Sequence, residues 1–300
     1  WGSLVFYNAF LPEIAETNQQ DKVSARGFAM GYVGSSILLI FNLMLVQKPE
    51  WFGISDAGFA TRISFLTVGI WWIGFAQIPF YFLPGKTVSG PPRENNFFKG
   101  YQELRKVWNE MKHNLVLKRY LTAFFVYNMG VQTVMLVATL FGASEIKMKT
   151  AELITTILII QFVAMFGAYL FSFVSKKIGN IKTLMVAVVI WIGACLGTYF
   201  FCYTPNDFFI VAGFVGLVMG GIQSLSRSTY SKMLPDTQDH ASYFSFYDVT
   251  EKVCIVLGMA TFGIINELST SMRKPIIILI IFFVIGFLLL LRVPKKSENQ

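Results

Sequence analysis

Apolar runs of about twenty residues alternate with short polar segments along the whole chain. A hydrocarbon core about 30 Å thick is crossed by about 20 residues of α-helix, because without water each backbone amide must be bonded inside its own segment. Eight runs meet that length: 27–46, 63–83, 120–141, 153–174, 183–203, 208–226, 242–265 and 275–291. Seven of the eight contain no Asp, Glu, Lys or Arg. Residues 1–15 look like the end of a ninth apolar segment, with Pro12 and Glu13 marking its exit to water. The predicted architecture is all-α and polytopic, with eight complete transmembrane helices plus a partial ninth. Trp1 stands where an initiator Met would, so the expectation is a chain that starts inside a longer protein.

Composition supports lipid as the solvent: of 300 residues 54% are hydrophobic and only 14% charged. Three scattered Cys exclude a disulfide-stapled module, and two His leave little for a metal centre. The net charge of +8 could suggest nucleic acid, but Lys and Arg lie between the apolar runs and form no basic face with interleaved aromatics, so no nucleic-acid partner is expected. If the loop at 16–26 is cytoplasmic, alternation puts 84–119, 175–182, 227–241 and the tail after 291 on the same side. Eighteen of the 25 Lys and Arg then fall there and six on the other face, with Lys252 inside a span. The positive-inside rule fixes that orientation, and the surplus charge faces anionic lipid headgroups.

The loop at 84–119 opens with breakers (Pro84, Gly85, Gly90, Pro91, Pro92) and then turns periodic. Phe97, Tyr101, Leu104, Trp108, Met111 and Leu115 recur at helical spacing among basic residues, which predicts an amphipathic interfacial helix. It is either a strut between two membrane halves or a helix resting on headgroups. A repeat supports two halves. Tyr7-Asn8-Ala9-Phe10-Leu11-Pro12-Glu13 and Tyr230-Ser231-Lys232-Met233-Leu234-Pro235-Asp236 each close a span and precede a polar loop, 223 residues apart with six complete spans between. An even number of helices implies a parallel repeat about an axis along the membrane normal. The predicted organisation is the remainder of an N-terminal six-helix half at 1–83, a cytoplasmic linker at 84–119, and a C-terminal six-helix half with its tail at 120–300. By that count three helices and most of a fourth precede Trp1.

Five stretches, FYNAFLPEIA at 6–15, SARGFAMGY at 24–32, YNMGVQT at 127–133, GGIQSLSRS at 220–228 and FSFYDVTEKVCIVLG at 244–258, resemble one branch of the major facilitator superfamily. It is the unknown-major-facilitator or vacuole-effluxer-like family, related to the autophagy-linked vacuolar amino-acid exporter of fungi. The resemblance runs along essentially the whole chain. It implies the major facilitator fold, secondary transport and, by analogy, amino-acid efflux, in a bacterial cell membrane or a fungal vacuolar membrane. One superfamily feature is degraded. The loop between the second and third helices of a half usually carries an Asp, and here that position holds Lys176, which puts an acid-anchored gate in this half in doubt.

Ionisable groups in mid-membrane cost at least about 2.5–3.5 kcal/mol each, so they should face a cavity or one another. Asp248, Glu251 and Lys252 share the span 242–265. Asp248 and Lys252, one turn apart with the acid first, suit an ion pair. Glu251 must find another partner, since adjacent residues point about 100° apart. It is the candidate for proton coupling or for a solute ammonium; the alternative is a static cluster joining helices. Tyr127, Asn128, Gln132, Gln161 and Gln223 supply amide and hydroxyl groups suited to a polar solute, or to interhelical hydrogen bonds. Arg227 lies at the end of its span, as a gate residue or, more simply, a snorkelling anchor. Glu13 and Arg26 flank the corresponding first loop and are candidates to pair across the gate. Gly216 and Gly220, with Gly213 and Gly221, predict a close helix contact, with Gly31, Gly34, Gly258 and Gly263 in similar roles; Asn42 reads as interhelical glue.

Enzyme signatures are missing: no Walker loop, no HExxH, no nucleophile elbow. His113 and His240 fall in loops, and Cys195, Cys202 and Cys254 lie in or beside spans as small apolar residues. No cofactor or metal is implied. The expected function is secondary active transport of a small polar solute by rocker-switch alternating access, with membrane lipids, the solute and protons as partners. The alternatives are a non-transporting scaffold or sensor of the same fold, and a lipid flippase.

Overall fold

The computed structural model describes residues 2–83, 99–237, 239–269 and 271–294. The order of elements is α1 (Gly2–Ala9), α2 (Leu11–Ile14), α3 (Gln20–Gln47), α4 (Ala57–Phe82), α5 (Lys99–Met111), α6 (Leu115–Ser144), α7 (Thr150–Ile178), α8 (Asn180–Phe201), α9 (Pro205–Met233), α10 (His240–Glu267) and α11 (Ile276–Leu291), with a 3-10 turn at Pro49–Phe52. The breakers at 84–92, Phe97 and the tail lysines lie outside the described residues. Each predicted run falls on one helix to within two residues at its ends, and most helices run past it by several residues at one end or both because their polar ends continue beyond the hydrocarbon. Residues 115–119 of the predicted linker belong to α6.

Among the described residues six helices are long and apolar enough to cross a membrane: Gln20–Gln47, Gly58–Phe82, Leu115–Ser144, Thr150–Ile178, Asn180–Phe201 and Pro205–Met233. Two predicted spans fall short on different grounds. α10 has the length, 28 residues, but carries Asp248, Glu251 and Lys252. α11 is wholly apolar but has 16 residues, about 24 Å at 1.5 Å each.

The chain divides into two compact units, Trp1–Tyr32 with Phe98–Gln300, and Val33–Phe97. In the smaller unit the rest of α3 and α4 form a hairpin. Asp56 caps α4 by accepting from the backbone N–H of Gly58 (3.1 Å) and Phe59 (2.9 Å). Thr67 Oγ1 donates to Asn42 Oδ1 at 2.7 Å, the role predicted for Asn42. Large apolar side chains, Phe65, Trp72, Phe80 and Phe82 among them, point outward from α4.

In the larger unit α7 and α9 make the most extensive helix contact. Lipid is as apolar as Leu, so helix association relies on close backbone approach. A Cβ at Gly220 would overlap the Ala164 carbonyl, one at Gly167 the Leu217 carbonyl, and one at Gly216 would sit 2.7 Å from the Ile160 carbonyl. Gly221 packs on the Phe171 ring, and Gly258 lies against Met129 and Thr133. Among the described residues Gly213, Gly31 and Gly263 meet nothing within 4 Å, so the close-contact role expected of them is corrected. Trp191 stacks on Phe283 at the α8–α11 contact, with ring centroids 5.4 Å apart.

α5 docks onto α10. Val107 and Met111 are buried, Trp108 stacks on Phe246, and Tyr243 Oη donates to Glu110 at 2.7 Å. The buried face is thus offset from the predicted stripe: Tyr101 and Leu115 are exposed, and Val107 lies inside.

Candidate functional site

α6 carries Asn128, Gln132 and Met135 at i, i+4 and i+7, one face of the helix, and this face meets α9 and α10. Gln132 Nε2 donates to Glu251 Oε1 at 2.8 Å, so the partner Glu251 needed is one of the predicted amides. Lys252 Nζ lies 3.2 Å from Asp248 Oδ1, the predicted pair, and 3.5 Å from Glu251 Oε1. The expectation that neighbours in sequence would not meet is corrected: the long Lys252 stem bends its ammonium between both carboxylates. Asn128 is buried, and its Nδ2 has no hydrogen-bond partner among the described residues.

The other predicted residues distribute around this group. Gln223, on α9, accepts from Tyr32 Oη at 2.6 Å and points Nε2 at Met135 Sδ at 3.3 Å. Tyr127 shares a 2.7 Å hydrogen bond with Ser226 Oγ, beside the Tyr120 hydroxyl, which donates to the Ser226 carbonyl at 2.7 Å. Gln161 is half-buried on α7.

Arg227 is not a snorkelling anchor. It is 4% exposed, and its guanidinium points inward towards α1 and α3. Nε donates to Ser24 Oγ (3.0 Å), Nη1 to Asn8 Oδ1 (3.1 Å) and Nη2 to the Ser24 carbonyl (3.1 Å). The rings of Tyr7 and Phe28 cover it at 5.0 and 4.7 Å. Ser24 Oγ in turn donates to the Ser224 carbonyl at 2.7 Å. Glu13 and Arg26 are not brought together: Glu13 faces His240 Nδ1 at 3.4 Å, and Arg26 is exposed.

One turn nearer the helix ends lies a cluster that the sequence reading missed. Asp21, 3% exposed, accepts from Lys232 Nζ (2.6 Å), Asn180 Nδ2 (2.8 Å) and Ser175 Oγ (3.2 Å). Asn180 also donates to Thr229 Oγ1 at 3.0 Å. Asp21, Ser24, Phe28 and Tyr32 recur at i, i+3, i+7 and i+11, so one face of α3 presents an acid, a hydroxyl, a ring and a phenol to successive turns of α9.

At the far end of the bundle a second arginine is tied differently. Arg273, between α10 and α11, pairs with Glu145 (Nε to Oε1, 3.2 Å). Its Nη1 donates to the Thr198 and Tyr199 carbonyls at 3.1 and 3.2 Å, and its Nη2 to the Cys202 carbonyl. Glu145 also accepts from Ser271 Oγ (2.9 Å) and the Met272 backbone N–H (3.1 Å).

Comparison with known proteins places this arrangement. Residues 1–300 match the family described as vacuole effluxer Atg22 like. An uncharacterised MFS-type transporter of Bacillus subtilis, YxiO, is 29% identical over 302 residues, covering 100% of this chain and 69% of that protein. Autophagy-related protein 22 of Kluyveromyces lactis is 26% identical over 284 residues, covering 88% of this chain but 56% of its relative, so the chain spans little more than half the length of that fungal protein. Among solved structures the Escherichia coli fucose:proton symporter FucP superposes with a TM-score of 0.69 at 13% identity, over 97% of this chain and 73% of FucP. A bacterial homologue of the iron transporter ferroportin, in an outward-facing state, gives 0.57 at 10% identity over 94% and 66%. The chain has the major facilitator fold and belongs to the vacuole effluxer Atg22-like family, a multi-pass integral membrane protein of a transporter family and not an enzyme.

Proposed function

We propose that this chain forms the greater part of a secondary active transporter that moves a small polar solute, with amino-acid efflux as its direction and class, by rocking two helical halves about a site at α6, α9 and α10. The carrying observation is the Gln132–Glu251 hydrogen bond, which holds a carboxylate inside a helix where an uncompensated charge would be costly. Beside it the buried Asn128 amide, next to the Cys254 thiol, has no well-formed hydrogen bond for its Nδ2 among the described residues and is a donor for the solute. The family's description as effluxers supports the direction. The likeness to FucP, a fucose:proton symporter, supports protons as the coupling ion, with Glu251 as the group that carries them. In this reading α10 and α11 also cross the membrane, giving eight complete spans plus the partial ninth at α1. Residues 1–83 belong to one half, 84–119 to the cytoplasmic linker and 120–300 to the other half.

The roles divide by depth. Tyr127, Asn128, Gln132, Gln161 and Gln223 contact the solute at successive positions along its path. Asp248 and Lys252 keep Glu251 compensated while the solute is absent. Arg227, with Glu13 and Arg26 at the rim, gates the basic, cytoplasmic end. The partners are solute, protons and surrounding lipid. A groove between α8 and α9, lined by Ile190, Gly197, Phe201, Ile210 and Phe214, is a feature that would suit lipid handling. Its acid, Asp207, is tied up in the cap of α9 with Thr204, so the groove offers a headgroup no polar path and the flippase reading is the weaker one.

Replacing Glu251 by Gln in the full-length protein keeps the partner of Gln132 but removes the titrating group. In proteoliposomes loaded with a radiolabelled amino-acid mixture, counterflow should survive E251Q while pH-driven accumulation is lost. Accumulation that stays intact removes coupling from this residue.

A further inference from the structure

The turn between α7 and α8 holds Lys176 where the superfamily pattern would place an acid, and Lys176 is exposed. An acid is nevertheless buried against that turn, and it arrives from α3. α7 ends at Ile178 and α8 starts at Asn180, with only Gly179 between them at φ +85°, a conformation L side chains rarely adopt. This tight reversal brings Ser175 and Asn180 to one point, and the last turn of α9 adds Lys232. The three donors converge on Asp21, and none belongs to its own helix. A carboxylate with about four acceptor positions is close to saturated by such a set. Asp21 also sits in the first turn of α3, where the helix dipole favours an anion.

We infer that Asp21 is the acid of the basic-face gate, supplied in trans: it locks α3 to the α7–α8 turn and the end of α9 when that face is closed, and must leave Ser175, Asn180 and Lys232 for the face to open. This rests on the alternating-access reading above. A static tie within one rigid body would also bury Asp21, but its neighbours argue for a separable contact. Every partner is a side chain, and the adjacent Arg227 contacts likewise cross between α9 and α1 or α3. Asn180 can turn either end of its amide to the seam, and Lys232 Nζ already lies 3.4 Å from its Oδ1, so the cluster tolerates exchange of acid and base.

The test is an accessibility measurement that needs no solute. Ser231, buried beside Lys232 with no partner for its hydroxyl among the described residues, is replaced by Cys in full-length protein free of other reactive thiols. The protein is placed in nanodiscs and its reaction rate with a polar maleimide is followed. D21N and K232D should each raise the rate several-fold, and the exchanged pair D21K/K232D should return it towards the parental value, which also shows that the fold survives. An unchanged rate in D21N overturns the proposal, and so does failure of the exchanged pair to restore protection while the protein remains monodisperse. If the rates change as expected and full-length protein shows no counterflow of amino acids, the gate stands and the transport reading falls.

Discussion

Two arginines, Arg227 buried and Arg273 half-buried, mark opposite ends of the larger unit, and they are held by opposite means. Arg273 pairs with a carboxylate and caps backbone carbonyls at the end of α8, all within residues 141–273. Arg227 touches two neutral side chains, one carbonyl and two ring faces, all contributed by residues 7–28 across a seam. Helix-end carbonyls have few other partners in a membrane, so the Arg273 set is costly to undo. Neutral acceptors and rings hold a guanidinium without neutralising it, so the Arg227 set is easier to exchange. The first arrangement suits a brace that persists through a cycle, the second a contact made and broken once per turn.

The largest expected effect tests the brace. R273M takes the cation from the half-buried Glu145 carboxylate and uncaps α8 together, and should cost about 2 kcal/mol of stability, within the range for losing hydrogen bonds to a charged group. Denaturant unfolding in detergent measures it. Counterflow per folded molecule should stay within about twofold, since no solute contact is touched, a change of under 0.5 kcal/mol.

R227M should invert that ranking. R227M leaves no carboxylate without its cation, only the neutral acceptors of Asn8 and Ser24, so a loss of about 1 kcal/mol is expected, the lower end for an unsatisfied buried acceptor. Transport should fall by about tenfold or more, because charge-assisted hydrogen bonds of about 1.5–3 kcal/mol each no longer set the balance between closed and open. Equal stability losses at the two arginines would break the distinction between brace and latch.

The contrast also shows where sequence was legible. Spans were readable because lipid imposes length and apolarity on each helix separately, and α10 stood out because Asp248, Glu251 and Lys252 are the ionisable groups inside a predicted span. Pairings between helices were less so. Gln132 and Glu251 were each singled out, yet nothing local joins positions 119 apart. Asp21 was overlooked because it sits in the polar run Thr17-Asn18-Gln19-Gln20-Asp21-Lys22, which resembles a solvated loop. Its burial is decided by the reversal at Gly179 and by Lys232, far along the chain. Arg227 was misread as a snorkelling anchor for the same reason: its partners at 7–28 are about 200 residues away.

The smallest effect is the most discriminating. Tyr32 Oη to Gln223 Oε1, at 2.6 Å, lies about three turns further along α3 than Asp21. Y32F removes one hydroxyl and leaves the ring, so the stability cost should be about 0.6 kcal/mol, typical of a hydrogen bond between membrane helices. If the seam opens as a unit, that small loss should appear almost wholly in the closed state. Maleimide labelling at Ser231→Cys should then rise by about threefold, the factor corresponding to 0.6 kcal/mol. A site so far along α3 can affect labelling at the end of α9 only if Asp21, Ser24 and Tyr32 release together. Labelling that stays at the parental rate in Y32F, while D21N raises it, would confine the latch to the outer turns and make the Tyr32–Gln223 pair part of the solute site instead.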